Sequence, residues 1–396
     1  MTNPYIKQYL MTAGPTPLPP AVSQVMAEPI LYHRAPAFIG IYERVLERLP
    51  QVFRTQNDVL CFAATGSGAL ESAVANLVRP GDPALVASCG KFGERWAELC
   101  EAFGAELVHV TFEWGERVDP ERVDAELSGM AKKPRAVFTT QSETSTGVVN
   151  DIEALAEVAR SHGAVLCVDA VSGLGAVDLS QDDWGVDVVV TGSQKSLMCP
   201  PGLGFASVSQ RALDLAAEGP GGRYYFDWAK TAAGQRKSPP DSPFTTAVTL
   251  FRALDVALDQ ILAEGLDEVF ARHAVLARAA RAGIEGLGLE RFGPDDPDAN
   301  VVTAARLPDE IDGAQVPKLT RDRYGVTVAG GQGHLKGKIV RVAHCGYYGA
   351  FDIVTALSAL EMALRDLGHG CEPGGGVAAA QRIFGEAGSP APAPVG

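Results

Sequence analysis

No uninterrupted apolar run in the 396 residues approaches the length of a membrane span, so nothing predicts a transmembrane helix. The start, MTNPYIKQYL, lacks the basic region, apolar segment and small-residue cleavage site of a signal peptide. The end, PAPAPVG, is no peroxisomal address. There is also no basic stripe. With 48 acidic residues against 34 basic ones the net charge is −14, which argues against a nucleic-acid partner. The seven cysteines (Cys61, Cys89, Cys100, Cys167, Cys199, Cys345 and Cys371) show no paired spacing, and Cys61 and Cys167 sit in apolar, strand-like runs where buried thiols are expected. The seven histidines form no HExxH or similar pair, so a metal site has little support. These absences predict a soluble cytoplasmic protein.

What is present is ordinary globular composition, 46% apolar and 21% charged, in a chain long enough for two domains. From about residue 58 to 210, strand-like and helix-like segments alternate. DVLCFAA is followed by a glycine turn and ALESAVANLV, in which Leu70, Ala73, Val74 and Leu77 fall at helical spacing. ALVAS, KFGERWAELCEAF, ELVHVTF and RAVFTT continue the pattern. Asn150 or Asp151 can cap a helix carrying Ile152, Leu155, Ala156 and Ala159, which ends at Gly163. AVLCVDAV and VDVVV are apolar at nearly every position, as strands covered on both faces are. The pattern predicts an α/β fold with a mostly parallel sheet sandwiched by helices, whose ligand sits at the carboxyl ends of the strands.

After the proline-rich QRKSPPDSP, residues 249–287 read as one or two long helices. ANVVTAARL and KIVRVAHC read as strands, and a closing helix runs from Ile353 to Leu367. The expected division is an N-terminal arm (1–20), a large α/β domain (21–243), a smaller α+β domain (244–369) and a flexible low-complexity tail (370–396).

Three features follow strand ends. ATGSGALES places glycines between a strand and a helix start, where free N–H groups and the helix dipole favour an anion. It fails the dinucleotide fingerprint, because Glu71 occupies the last glycine position, and it is followed by no Gly-Lys-Ser/Thr; a lone phosphate fits it, as does a plain tight turn. Asp169, at the end of VLCVD, either closes the turn after its strand or holds a positive charge on a ligand. Lys195, inside TGSQKSLMCPPG, is either a solvated loop charge or an amine freed for attack on carbonyls by burial. Together, a phosphate cradle, a strand-end Asp and a loop Lys are what pyridoxal 5′-phosphate requires.

On these residues the chain resembles the class V aminotransferases, among the fold type I pyridoxal-phosphate enzymes. TQSETSTGV, VDAVSGLGA, TGSQKSLMCPPG and IVRVAHCG match the family's blocks in order and spacing, within a likeness running from AGPTPLPPAV to about Leu367. The alanine–glyoxylate, serine–glyoxylate and serine–pyruvate aminotransferases are the members it resembles most. The resemblance implies that Lys195 forms the Schiff base, with Asp169 on the ring nitrogen and Val171 against one ring face. Gln194, Thr65, Gly66 and Ser67 would touch the phosphate, although Ser67 stands where some relatives carry histidine. Phe92, in CGKFGERW, stands where the family often has tryptophan on the other ring face. Thr144 matches the position that reaches the ring hydroxyl, or is a simple turn residue. Thr245 resembles a residue that reaches the phosphate of a neighbouring subunit, with Thr246 one position away, and implies a homodimer with shared active sites. Arg341 matches the arginine that clamps the substrate carboxylate. His33 and Arg34 either face the pocket or belong to a solvated linker.

The implied reaction is transamination in a ping-pong cycle, from a small amino acid (alanine or serine) to a 2-oxo acid (glyoxylate or pyruvate). Other chemistry on the same cofactor, of the cysteine desulfurase or kynureninase type, fits less well. Desulfurases typically carry His before the lysine, where this chain has Gln194, and neither Cys345 nor Cys371 lies in a context like their catalytic loop. A non-catalytic subunit of a larger complex would not need Lys195, Asp169 and Arg341 together.

Overall fold

The computed structural model describes residues 6–218 and 222–387. The chain opens with strand β1 (Tyr9–Met11) and helices α1 (Pro20–Met26) and α2 (Pro36–Phe53). An alternating block follows: β2 (Asp58–Phe62), α3 (Gly66–Leu77), β3 (Pro83–Ser88), α4 (Lys91–Ala102), β4 (Glu106–Thr111), α5 (Pro120–Gly129) and β5 (Ala136–Thr140). A small hairpin, β6 (Ser142–Glu143) and β7 (Val148–Val149), precedes α6 (Ile152–Ser161), β8 (Val165–Asp169), the one-turn α7 (Gln181–Trp184), β9 (Val188–Gly192) and β10 (Gly204–Val208). Helices α8 (Gln210–Ala217), α9 (Trp228–Gln235), α10 (Val248–Glu264) and α11 (Leu266–Gly286) come next. The chain continues through β11 (Val302–Arg306), α12 (Val316–Tyr324), β12 (Val326–Gly330), β13 (Ile339–Ala343), α13 (Ala350–Asp366) and α14 (Gly375–Ala387).

Seven strands form the main sheet in the order β2-β10-β9-β8-β5-β3-β4, and only β10 runs against its neighbours. Val188, Val189 and Val190 are fully buried, because helices cover both faces of β9. Burying each valine contributes roughly 1.5–3 kcal/mol, which is why these strands tolerate apolar residues at successive positions. On α3, Leu70, Ala73, Val74 and Leu77 all face the core, as their spacing predicts. Asp151, not Asn150, caps α6, with its Oδ1 accepting from Ala154 N at 3.0 Å. Asn150 instead ties two segments together, donating to Thr140 O and accepting from Val118 N. No helix among the described residues is long and apolar enough to cross a membrane.

The second unit is a four-stranded sheet, β1-β12-β13-β11, covered by α11, α13 and α14. It departs from the expected boundaries in three ways. The N-terminal arm is part of this sheet: β1 pairs in parallel with β12, Tyr9 opposite Val326. A three-residue edge strand is too short to show periodicity in the sequence. Helix α10 packs with α1 and α2 in the core of the main sheet, so residue 244 is not where the small unit begins. The break between α10 and α11 falls at Gly265, whose φ of +87° ends the first helix. Finally, the segment expected as a tail from residue 370 contains α14, with Gly376, Ala379 and Ala380 buried against α11. Its glycines serve close packing: a Cβ on Gly376 would come within 2.8 Å of the Leu287 side chain. The rest of the expected tail, 388–396, lies outside the described residues.

Candidate active site

A cleft of about 290 Å³ opens where the carboxyl ends of β2, β8 and β9 meet the first turns of α3 and α4. Thr65 caps α3 through Oγ1, which accepts from Gly68 N at 3.3 Å. The N–H groups of Gly66 and Ser67 have no acceptor within the helix and stand at its positive end. Gly66 is required here, since a Cβ would lie 2.8 Å from Val171 Cγ2. Val171 lines the cleft beside it.

Asp169 ends β8 and is 5% exposed. Val171 N donates to its Oδ1 at 2.8 Å, so the carboxylate does close the turn. It makes no ion pair among the described residues. Burial pushes its pKa up to about 7, against the opposing pull of the Val171 N–H and the charges of Arg95 and Lys195. A buried carboxylate without a cation is the arrangement that a positively charged ligand atom relieves.

The turn after β9 is held from inside. Ser193 Oγ donates to Pro200 O at 2.5 Å and accepts from Leu203 N at 3.2 Å. Met198, with φ of +52°, donates its N–H to Lys195 O at 3.0 Å. The N-terminal segment adds Thr16, which bonds Lys195 O through Oγ1 and Gln194 O through its N–H. Lys195 is thereby aimed into the cleft, where its Nζ donates to Ala13 O. Burial lowers the amine's pKa, with Cys345 and Asp169 opposing the shift and Arg341 adding to it.

Phe92 lines the cleft from the first turn of α4, and Thr144 and Gln194 line it as well. Two buried polar atoms on this wall, Ser142 Oγ and Gln194 Oε1, have no hydrogen-bond partner. The cleft therefore gathers Thr65, Gly66, Ser67, Phe92, Thr144, Asp169, Val171, Gln194 and Lys195, all expected from the sequence.

The other expected residues are not on this wall. Arg341 is buried on β13, donating through Nε and Nη2 to Gly330 O at 3.0 and 2.8 Å and through Nη1 to Thr144 O. It lies behind the Thr144 turn. Thr245 is exposed ahead of α10. Thr246, with its Oγ1 buried and unpartnered, lines a separate hollow of about 480 Å³ together with His33 and Arg34. Arg34 pairs there with Asp241 at 3.3 Å.

Three residues escaped the sequence reading. Gly14, at φ +136°, lies so close to Lys195 that a Cβ would overlap the lysine's Cδ, Cε and Nζ; its only signal was the Gly-Pro step. Glu143 is buried and accepts from Phe92 N, Gly93 N, Ser145 N and Ser145 Oγ at 2.6–3.0 Å. It thereby fixes the α4 start that carries Phe92; a carboxylate in a polar motif gave no sign of burial. Arg95 lines the cleft one helical turn after Phe92, a spacing that could have flagged it.

The donor set fits pyridoxal phosphate. Free helix N–H groups suit the phosphate, a buried unpaired carboxylate suits a protonated ring nitrogen, and an amine whose pKa burial lowers suits the aldehyde. Gly66 brings Val171 close on one side, and Phe92 supplies an aromatic wall.

Comparison with known proteins identifies the family. Residues 8–347 match the family profile described as "Aminotransferase class-V". The small subunit of a soluble hydrogenase from Synechococcus sp. (strain PCC 6716) is 41% identical over 381 residues, covering 96% of this chain and 98% of that protein. Serine–glyoxylate aminotransferase of Hyphomicrobium methylovorum is 36% identical, covering 96% and 95%. Among solved structures, ureidoglycine–glyoxylate aminotransferase from Bacillus subtilis superimposes with a TM-score of 0.90 at 31% identity, over 97% of this chain and 99% of that one.

Proposed function

The chain belongs to the class V aminotransferase family, a family that uses pyridoxal phosphate, and on that premise we propose that Lys195 and Asp169 carry transamination from a small neutral amino acid to a 2-oxo acid. The observation that carries this reading is a buried amine, its pKa lowered by that burial, standing in one cleft with a buried carboxylate that makes no ion pair among the described residues. Alanine or serine is the proposed donor and glyoxylate or pyruvate the proposed acceptor. Two relatives named above act on glyoxylate by name, which supports the acceptor.

When bound, the cofactor supplies an electron sink for negative charge at the substrate α-carbon. The chain's own groups do the rest. The Gly66 and Ser67 N–H groups take the phosphate, and Phe92 and Val171 bound the ring slot. Asp169 holds positive charge on the ring nitrogen, recovering the cost of its burial. Lys195 Nζ is the base that removes and returns the proton at the α-carbon; burial lowers its pKa and so favours the neutral amine. Arg341 takes the substrate carboxylate by exchanging its bond to Thr144 O for a bidentate pair. Exposed Thr245 is available to the cleft of a second copy, so a homodimer with shared sites is part of the proposal.

The hydrogenase-subunit name of one relative favours a second reading, a subunit of a larger assembly. Retention of Lys195 and Asp169 in one cleft supports turnover. The test is the visible spectrum of the cofactor-loaded protein while alanine, serine and aspartate are added in turn, followed by glyoxylate or pyruvate. A band that shifts with a neutral donor and returns with the acceptor is expected. A band unmoved by every donor would overturn the proposed reaction, and a response to aspartate alone would overturn the neutral donor.

A further inference from the structure

Arg95 lies on the cleft wall within reach of the field of Asp169 but in direct contact with no carboxylate among the described residues. Its Nη1 donates to Ser67 Oγ at 3.0 Å, beside the free N–H groups of α3, and its guanidinium carbon lies 5.1 Å from the Phe92 ring centroid. Of the three acids on its own helix, Glu94 accepts from Trp114 Nε1 at 2.9 Å and Glu98 pairs with Lys91 at 2.9 Å, while Glu101, six residues on, makes no ion pair with it. No ion pair to Arg95 exists among the described residues. Thr65, Gly66 and Ser67, by contrast, offer an anion only neutral donors. A phosphate held by these alone would carry uncompensated charge in a half-enclosed cleft. The excess charge on Arg95 and the missing charge of the cup are one hydroxyl apart.

We propose that Arg95 is the counter-cation of the cofactor phosphate, and that its contact with Phe92 couples the phosphate cup to the ring wall. This rests on the pyridoxal-phosphate reading of the cleft. Ser67 Oγ accepts from Arg95 and so orients the guanidinium across the cup. Phe92 sets its other face, because the ring and the guanidinium are one turn apart on α4.

The test measures equilibrium binding to the cofactor-free protein of three probes: pyridoxal phosphate, pyridoxal and inorganic phosphate. Arg95→Leu should weaken pyridoxal phosphate and inorganic phosphate about ten- to a hundredfold, the usual range for losing a charged hydrogen-bond partner, and leave pyridoxal unchanged. Arg95→Lys, which keeps the charge without the planar fork, should fall between wild type and Arg95→Leu, and it carries the test if the leucine variant does not fold. Unchanged pyridoxal phosphate affinity in both variants would overturn the role of Arg95, as would an equal loss for pyridoxal. Failure of the wild type to bind pyridoxal phosphate at all would overturn the cofactor reading itself.

Discussion

Asp169→Asn should make the cofactor-free protein more stable at alkaline pH while destroying its usefulness. Burial raises the carboxyl from 3.8 to about 7. That is about three decades of proton affinity, and at roughly 1.4 kcal/mol per decade the ionised carboxylate costs the fold about 4 kcal/mol at most. The sign follows from linkage. Between pH 4 and 7 the folded chain holds a proton that the unfolded chain has lost, so stability falls as pH rises through this window and levels off above it. Asparagine keeps an oxygen for the Val171 N–H and carries no charge. Lys195 titrates in both proteins and largely cancels from the comparison. Urea unfolding of both cofactor-free proteins at pH 5 and pH 8.5 should show Asp169→Asn gaining on wild type by up to about 3 kcal/mol between the two pH values. Parallel changes in the two proteins would refute the reasoning, because the carboxylate would then be answered by a partner or by water.

Three further outcomes are expected. Gly14→Ala should lower kcat by about a hundredfold with a smaller effect on KM, because the new Cβ displaces the Lys195 amine; steady-state kinetics showing an unchanged kcat would contradict it. Glu143→Gln should cost about 1.5–3 kcal/mol in unfolding free energy, since four donors converge on that carboxylate; a stability equal to wild type would deny it a role in fixing α4. The rate at which cofactor-free protein captures pyridoxal phosphate should rise with pH and level off below 10.5, because burial lowers the Lys195 pKa; a rate still climbing beyond pH 10.5 would argue for a solvated amine.

Much of this architecture was legible because the strands that build the cleft are buried on both faces. Val188 to Val190 and Val165 to Val168 read as uninterrupted apolar runs, and the residues after such runs must stand at strand ends. Lys195 and Asp169 were found on that ground, and the glycine turn at Gly66 announced a helix start. Legibility failed wherever the deciding contact joined distant segments. Strand β1 exists only because β12 lies beside it, 317 residues after Tyr9 in the register that pairs it with Val326. Gly14 reaches Lys195 through a loop with no periodicity, and α10 chose its sheet through packing on α1 and α2. The stretch before α14 resembled a flexible linker, since glycine marks close helix packing and chain freedom alike. Arg341 matched its motif and lies on the expected strand, yet its guanidinium is engaged by two carbonyls, which only the fold could reveal.

The central claim is that Lys195 is the residue that takes the cofactor. Borohydride reduction of the pyridoxal-phosphate-loaded protein, followed by peptide mass mapping, tests it directly. The added mass should fall on the peptide containing TGSQKS, on Lys195, and disappear in Lys195→Ala together with turnover. Labelling of another lysine, or a loaded protein with no fixed cofactor on Lys195, would contradict the account.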